Sequence, residues 1–159
     1  MALFFKKKKE TAEPVKEERP KKIGHKYVFQ QSEGFRGYKS YGLNTGNSTK
    51  AQEDIRSIAY PNPKYGKIES AGRYLYQTKE EPIVLQEEYY GSRFAELRIG
   101  AYVNQHQVGV MFIHEGNEKT MHFYDILKNK KIEAVHIWIE YSKEYDKFFS
   151  YIMIKERQP

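Results

Sequence analysis

The chain has 159 residues, about the length of one domain, since domains usually run ~100–200 residues. Hydrophobic residues at 39% are enough for one core, and the absence of cysteine excludes disulfide frameworks, thiolate catalysis, thiolate zinc sites and iron–sulfur ligation together. The formal charge of +6 sits mostly at the start: residues 1–22 hold eight Lys/Arg against four Asp/Glu, whereas the remainder holds nineteen against seventeen.

Residues 1–24 read as a disordered basic tail, because 6–22 are charged, contain proline and bury almost nothing that would offset ordering entropy. Lys6, Lys7, Lys8 and Lys9 attract nucleic acid or acidic lipid without reading a sequence, and serve equally as a solubilising leader. The apolar stretch Met1-Ala2-Leu3-Phe4-Phe5 precedes its charges and is too short for a signal peptide. No apolar run approaches the ~18 residues of a membrane span, so a cytoplasmic chain without stable membrane insertion is expected.

The domain is expected over 25–159. Aromatics make up 15% and include 14 Tyr, a composition that favours strands and half-wet surfaces. Tyr27-Val28-Phe29 is a short strand, and 34–47 is a looping connection with one more. Ser48 or Thr49 caps a helix with Ala51, Ile55, Ile58 and Ala59 at helical spacing, stopped by Pro61-Asn62-Pro63. Strands follow at 73–77, 83–86, 95–103 and 107–113. Leu97, Ile99 and Ala101 share one inner face, Val108, Val110 and Phe112 the other, with Asn104-Gln105-His106 as the turn. Met121, Tyr124 and Leu127 mark a helix over 120–127. Two long strands, 132–141 and 147–155, close the chain. The expected fold is α+β and β-rich: a small, partly open OB-like barrel of about six strands with two helices.

The chain carries no Gly-rich phosphate loop and no G-x-S-x-G elbow. Its histidines, His25, His106, His114, His122 and His136, show no ligand spacing, so no metal, no cofactor and no catalytic residue is expected. His114-Glu115 at a strand end reads as a solvated pair. Glu87 and Glu88 are adjacent in a strand and point to opposite faces, which prevents them from sharing one substrate bond.

The last hairpin carries the main candidate. Val135, Ile137, Ile139 and Tyr141 form an apolar face with Phe148, Ser150, Ile152 and Ile154. The other face joins Ala134, His136, Trp138 and Glu140 to Lys147, Phe149, Tyr151, Met153 and Lys155. Rings beside lysines suit stacking of single-stranded bases, with His136, Trp138, Phe149 and Tyr151 as the platform. The alternative is that a helix covers this face and the rings are core.

Tyr74-Leu75-Tyr76, Ile83-Val84-Leu85-Gln86-Glu87, Glu96-Leu97-Arg98-Ile99 and Gln107-Val108-Gly109-Val110-Met111 fall in an order that resembles the HIRAN domain. A helix and a hairpin follow, as in that family, and Phe35-Arg36-Gly37-Tyr38 stands for its early Gly-aromatic segment. The resemblance covers 26–155 in element order and about forty residues in detail. It implies a modified OB-like barrel that binds the 3′ end of single-stranded DNA, found in helicase-related remodellers and as standalone bacterial or phage proteins. The family's Tyr-Asp ligand pair falls on Ser92 and Arg93, and its Asn-Pro on Tyr90-Gly91, so the ligand loop departs from the pattern. Tyr89, Tyr90 and Arg93, with Arg36 and Tyr38, become the loop candidates. The expected function is non-catalytic binding of nucleic acid, preferably single-stranded DNA or DNA ends. A protein-interaction or structural module of a phage or mobile element, with a protein partner, is the alternative.

Overall fold

The computed structural model describes residues 19–46, 48–61, 73–78, 82–91 and 96–159. The expectations on Lys6, Lys7, Lys8, Lys9, Ser92 and Arg93 lie outside these residues. Local chemistry sets the helices. The Ser48 hydroxyl accepts from the Ala51 N–H at 3.1 Å and starts α1 (Thr49–Ile58), which sends Ile55 and Ile58 into the core. The Asn117 side chain accepts from the Thr120 N–H at 3.2 Å and starts α2 (Glu118–Lys128). The buried stripe of α2 is Phe123, Ile126 and Leu127, and Met121 and Tyr124 are only partly covered.

The strands are β1 (Lys22–Phe29), β2 (Lys39–Leu43), β3 (Ala59–Pro61), β4 (Arg73–Thr78), β5 (Ile83–Tyr89), β6 (Leu97–Val103), β7 (His106–Phe112), β8 (Ile132–Ser142) and β9 (Lys147–Glu156). They form two antiparallel sheets, ordered β2-β9-β8-β4-β3 and β1-β5-β6-β7. The fold is therefore α+β and strand-rich, with nine strands and two helices among the described residues rather than about six strands. β3 follows α1 directly, and Pro61 is tolerated because β3 is an edge strand. β1 begins at Lys22, inside the segment expected as tail. The Lys21 N–H donates to the Tyr89 carbonyl at 2.8 Å, and Lys22 pairs with Tyr89 in the ladder. An edge strand accepts lysines because their heads stay in water.

β6 and β7 meet in a two-residue turn, Asn104 and Gln105, with φ of 49° and 67°. His106, expected in the turn, already belongs to β7. The register runs Ala101–Gly109 and then Tyr102–Gln107, which leaves Val108 as an extra bulged residue. The bulge reverses the alternation of β7. Val108, Met111 and Ile113 are buried, whereas Val110 is partly covered and Phe112 is 41% exposed. The expected inner face of Val108, Val110 and Phe112 is corrected accordingly.

Both sheets and both helices contribute to one core. Ile83, Leu85, Ile99, Ala101 and Val103 face Tyr41, Val135, Ile137, Ile139, Ile152 and Ile154, with Ile55, Phe123, Ile126 and Leu127 from the helices. The sheets are not closed into one. Two isolated bridges connect them, Asn44–Val110 and Gln31–Val135. At the first, Asn44 and Val110 exchange backbone hydrogen bonds of 2.8 and 2.9 Å, and the Ser150 hydroxyl donates to the Val108 carbonyl at 2.6 Å. Gly109 lies at this joint. A Cβ there would stand 2.7 Å from the Leu43 Cβ and 3.2 Å from the Asn44 carbonyl oxygen. Gly109→Val is expected to destabilise the fold by about 1–3 kcal/mol through overpacking, measured by urea denaturation. An unchanged midpoint contradicts this role for the joint.

Candidate functional site

The strand period divides the β8–β9 hairpin as the sequence predicts. Val135, Ile137, Ile139, Phe148, Ser150, Ile152 and Ile154 are all at most 2% exposed on the inner side. On the outer side the register sets Trp138 across from Tyr151, His136 across from Met153, and Glu140 across from Phe149. Neither helix is seen to cover that side. The Arg56 guanidinium of α1 lies 5.0 Å from the Phe148 ring centre, and Phe123 of α2 lies 5.1 Å from the Tyr41 ring, both on the inner side.

A loop covers one end instead. Between β1 and β2 the chain turns at Phe35–Tyr38, where the Tyr38 N–H donates to the Phe35 carbonyl at 3.0 Å and Gly37 takes φ of 79°, a left-handed value that suits glycine. This turn holds the Phe35 ring 4.7 Å from His136 and 5.1 Å from Trp138. Gln31 fixes the loop to the hairpin: its side-chain oxygen accepts from the Ile137 N–H at 2.9 Å, and its amide donates to the Thr78 hydroxyl at 3.0 Å. His136 is consequently 3% exposed, with Nδ1 donating to the Ser32 carbonyl at 2.8 Å. Burial depresses its pKa below 6.5, outweighing the opposite effect of that hydrogen bond. The expectation that His136 belongs to an open platform is corrected: Phe35 takes its outer face and Ser32 its donor.

Trp138, Phe149 and Tyr151 are each partly exposed. Trp138 meets Tyr151 edge-on at 6.4 Å, and the Lys147 ammonium lies 5.1 Å from the Phe149 ring centre. Tyr145, 67% exposed, meets Phe149 edge-on at 6.3 Å. The Trp138 indole N–H is enclosed and has no hydrogen-bond partner among the described residues. Arg36 is exposed and Tyr38 half-buried on the turn that carries Phe35.

Tyr89 and Tyr90 stand elsewhere, at the end of β5 in the other sheet. Tyr90 is 5% exposed, its ring 3.9 Å from the Arg98 guanidinium and its hydroxyl donating to Glu88 at 3.0 Å. It offers no free face for stacking. Sequence reasoning missed this carboxylate cluster. Glu88 also accepts from the Gln86 amide at 2.8 Å and the Tyr102 hydroxyl, and Arg98 is its cross-strand neighbour. On the opposite face of β5, Glu87 accepts from the Tyr27 hydroxyl at 2.7 Å and the His25 N–H at 3.2 Å. Both carboxylates are nearly fully buried. Burial and the adjacent carboxylates raise the pKa of Tyr27 and Tyr102. A Cβ on Gly100 would meet Glu88 at 2.6 Å, so the space over Glu88 is closed. These clusters brace the sheet, with each carboxylate engaged by neighbouring side chains.

Ser57, His106 and Asp54 lie close together, but both partners approach the same ring nitrogen, Nδ1, at 3.5 and 3.3 Å. A nucleophile relay needs them on opposite nitrogens. Among the described residues no three of His, Asp or Glu gather as a metal site, and no helix is long and apolar enough to cross a membrane. No family model, curated protein or solved structure matches this chain.

Trp138 is the single tryptophan, so it reports on this face directly. Phe35→Ala is expected to red-shift its emission and increase acrylamide quenching; an unchanged spectrum contradicts the cover assigned to Phe35. The neutral, buried His136 also makes stability depend on pH. The unfolded chain takes up this proton first as pH falls, so the contribution is complete above about 6.5 and declines below it until the lower folded pKa is passed. Thermal melts from about pH 7 to 5 should show the wild type losing more stability than His136→Asn.

Proposed function

We propose that this chain is a non-catalytic nucleic-acid-binding module that prefers single-stranded DNA or DNA ends and takes the strand on the outer face of the β8–β9 hairpin. The observation that supports this most is the row formed by Trp138, Tyr151 and Phe149: three partly exposed rings on one sheet face, with Lys147 beside them. Every base has a π-face, so such a row holds a strand without reading its sequence, while lysines follow the phosphates. Arg36 on the adjoining turn adds a second cation, and Lys6, Lys7, Lys8 and Lys9 add non-specific attraction.

The same reading takes the fold as a partly open, OB-like barrel of HIRAN type. Two observations support it. The sheet order β1-β5-β6-β7 is followed across the Asn44–Val110 bridge by β2, β9 and β8, and the Gln31–Val135 bridge returns from β8 to the segment that extends β1. Single bridges thus link the two sheets at two places without closing them. The departure at Ser92 and Arg93 moves the expected contact away from the family's ligand loop and onto the hairpin.

The test is binding of a short oligothymidylate across a salt series. Affinity is expected to fall linearly on a logarithmic salt scale, because phosphate contacts release counterions. Tyr151→Ala and Phe149→Ala are each expected to weaken binding about tenfold, the loss of one base stack. The full chain failing to bind at low ionic strength would sink the proposal. So would binding that disappears with residues 1–18 while both ring variants leave it unchanged.

A further inference from the structure

β1 is the outer strand of its sheet. It pairs with β5 on one side and, among the described residues, with no strand along Lys22–Phe29 on the other. Alternate backbone N–H and C=O groups of such a strand point toward the open side. Beyond Phe29 the chain joins β8 in parallel at Gln31–Val135, three residues after β8 begins, so β1 meets β8 only past its own end. A cleft of about 330 Å³ opens between Lys26–Phe29 of β1 and the segment that leads from α2 into β8. Leu127 and Ile132, almost fully buried, line it together with Val28, which is 63% exposed. Ile23, on the same strand, is 43% exposed. Lys26, Lys130 and Arg157 also line the cleft, all are exposed, and none has an acidic partner among the described residues.

We infer that the β1 edge and this basic cleft take up an extended acidic polypeptide segment as an added strand. The open edge supplies main-chain hydrogen bonds, Val28 and Ile23 supply an apolar strip on the face that also carries Lys26, and the three cations receive carboxylates. A nucleic-acid strand finds the cations here, but the rings that line the cleft, Tyr27 and Phe29, are partly buried, and the most exposed large side chains are aliphatic.

The probe is a fluorescein-labelled peptide of alternating glutamate and valine, titrated into the full chain by anisotropy. Saturable binding is expected, weakened about tenfold by Lys130→Glu and by Arg157→Glu, both surface changes. N-methylation of alternate peptide nitrogens should abolish binding in one register and spare it in the other, and hydrogen exchange should slow across 22–29. Tyr151→Ala should leave the peptide affinity unchanged, which separates this edge from the hairpin face. No binding, equal binding of both N-methylated registers, or displacement of the peptide by oligothymidylate from the same cations overturns the inference.

Discussion

The antiparallel ladder between β8 and β9 is the interaction on which the rest of the molecule depends. It runs from Ser142–Lys147 to Ile132–Glu156 and fixes, by its two-residue period, which side chains enter the core and which face outward. The inner set, from Val135 to Ile139 and from Phe148 to Ile154, is sealed, and α1, β2 and β4 are arranged around it. The outer set receives Trp138, Tyr151 and Phe149 as a consequence of the same register. A slip by one residue would send three rings into the core and expel Ile137, Ile139 and Ile152, which is why the register is strongly specified. The candidate interface and the core are two faces of one ladder.

Covering that outer face is the second constraint. A sheet face left bare would expose His136 and Trp138 together. The loop between β1 and β2 reaches across with Phe35, Ser32 and Gln31, and leaves the Tyr151–Phe149 end partly open. The result is graded exposure along one stripe, with His136 sealed, Trp138 intermediate and Tyr145 at the tip in solvent. The basic β1 edge belongs to the other sheet, so the two proposed surfaces do not overlap.

The parts of this structure that were legible in the sequence are those governed by short periods. The alternation of 132–141 and 147–155 gave the sealed inner face from Val135 to Ile139 and from Phe148 to Ile154, whereas His136, Glu140 and Met153 of the outer face are buried too, and Ser48 marked the start of α1. What was not legible rests on contacts between residues far apart in the chain. The bulge at Val108 has no local signal, because Gln107-Val108-Gly109-Val110 alternates like an ordinary strand, and the extra residue appears only against Ala101. Phe35 over Trp138 joins residues about a hundred positions apart, and nothing in Gly34-Phe35-Arg36-Gly37 says which surface the ring covers. Glu88 and Tyr90 look like surface residues, yet they are buried because Gln86, Tyr102 and Arg98 from the same face close over them. The start of β1 was missed for the opposite reason: its lysines make an edge strand resemble a tail.

The central claim is that nucleic acid lies on the ring-bearing face of the β8–β9 hairpin, and the single tryptophan offers the most direct measurement. Trp138 emission is to be followed during titration with an oligothymidylate whose binding is monitored independently by anisotropy. The account predicts saturable quenching of Trp138 that tracks the binding curve, as bases stack against the rings of the stripe. Binding that proceeds to saturation with Trp138 emission unchanged would contradict it.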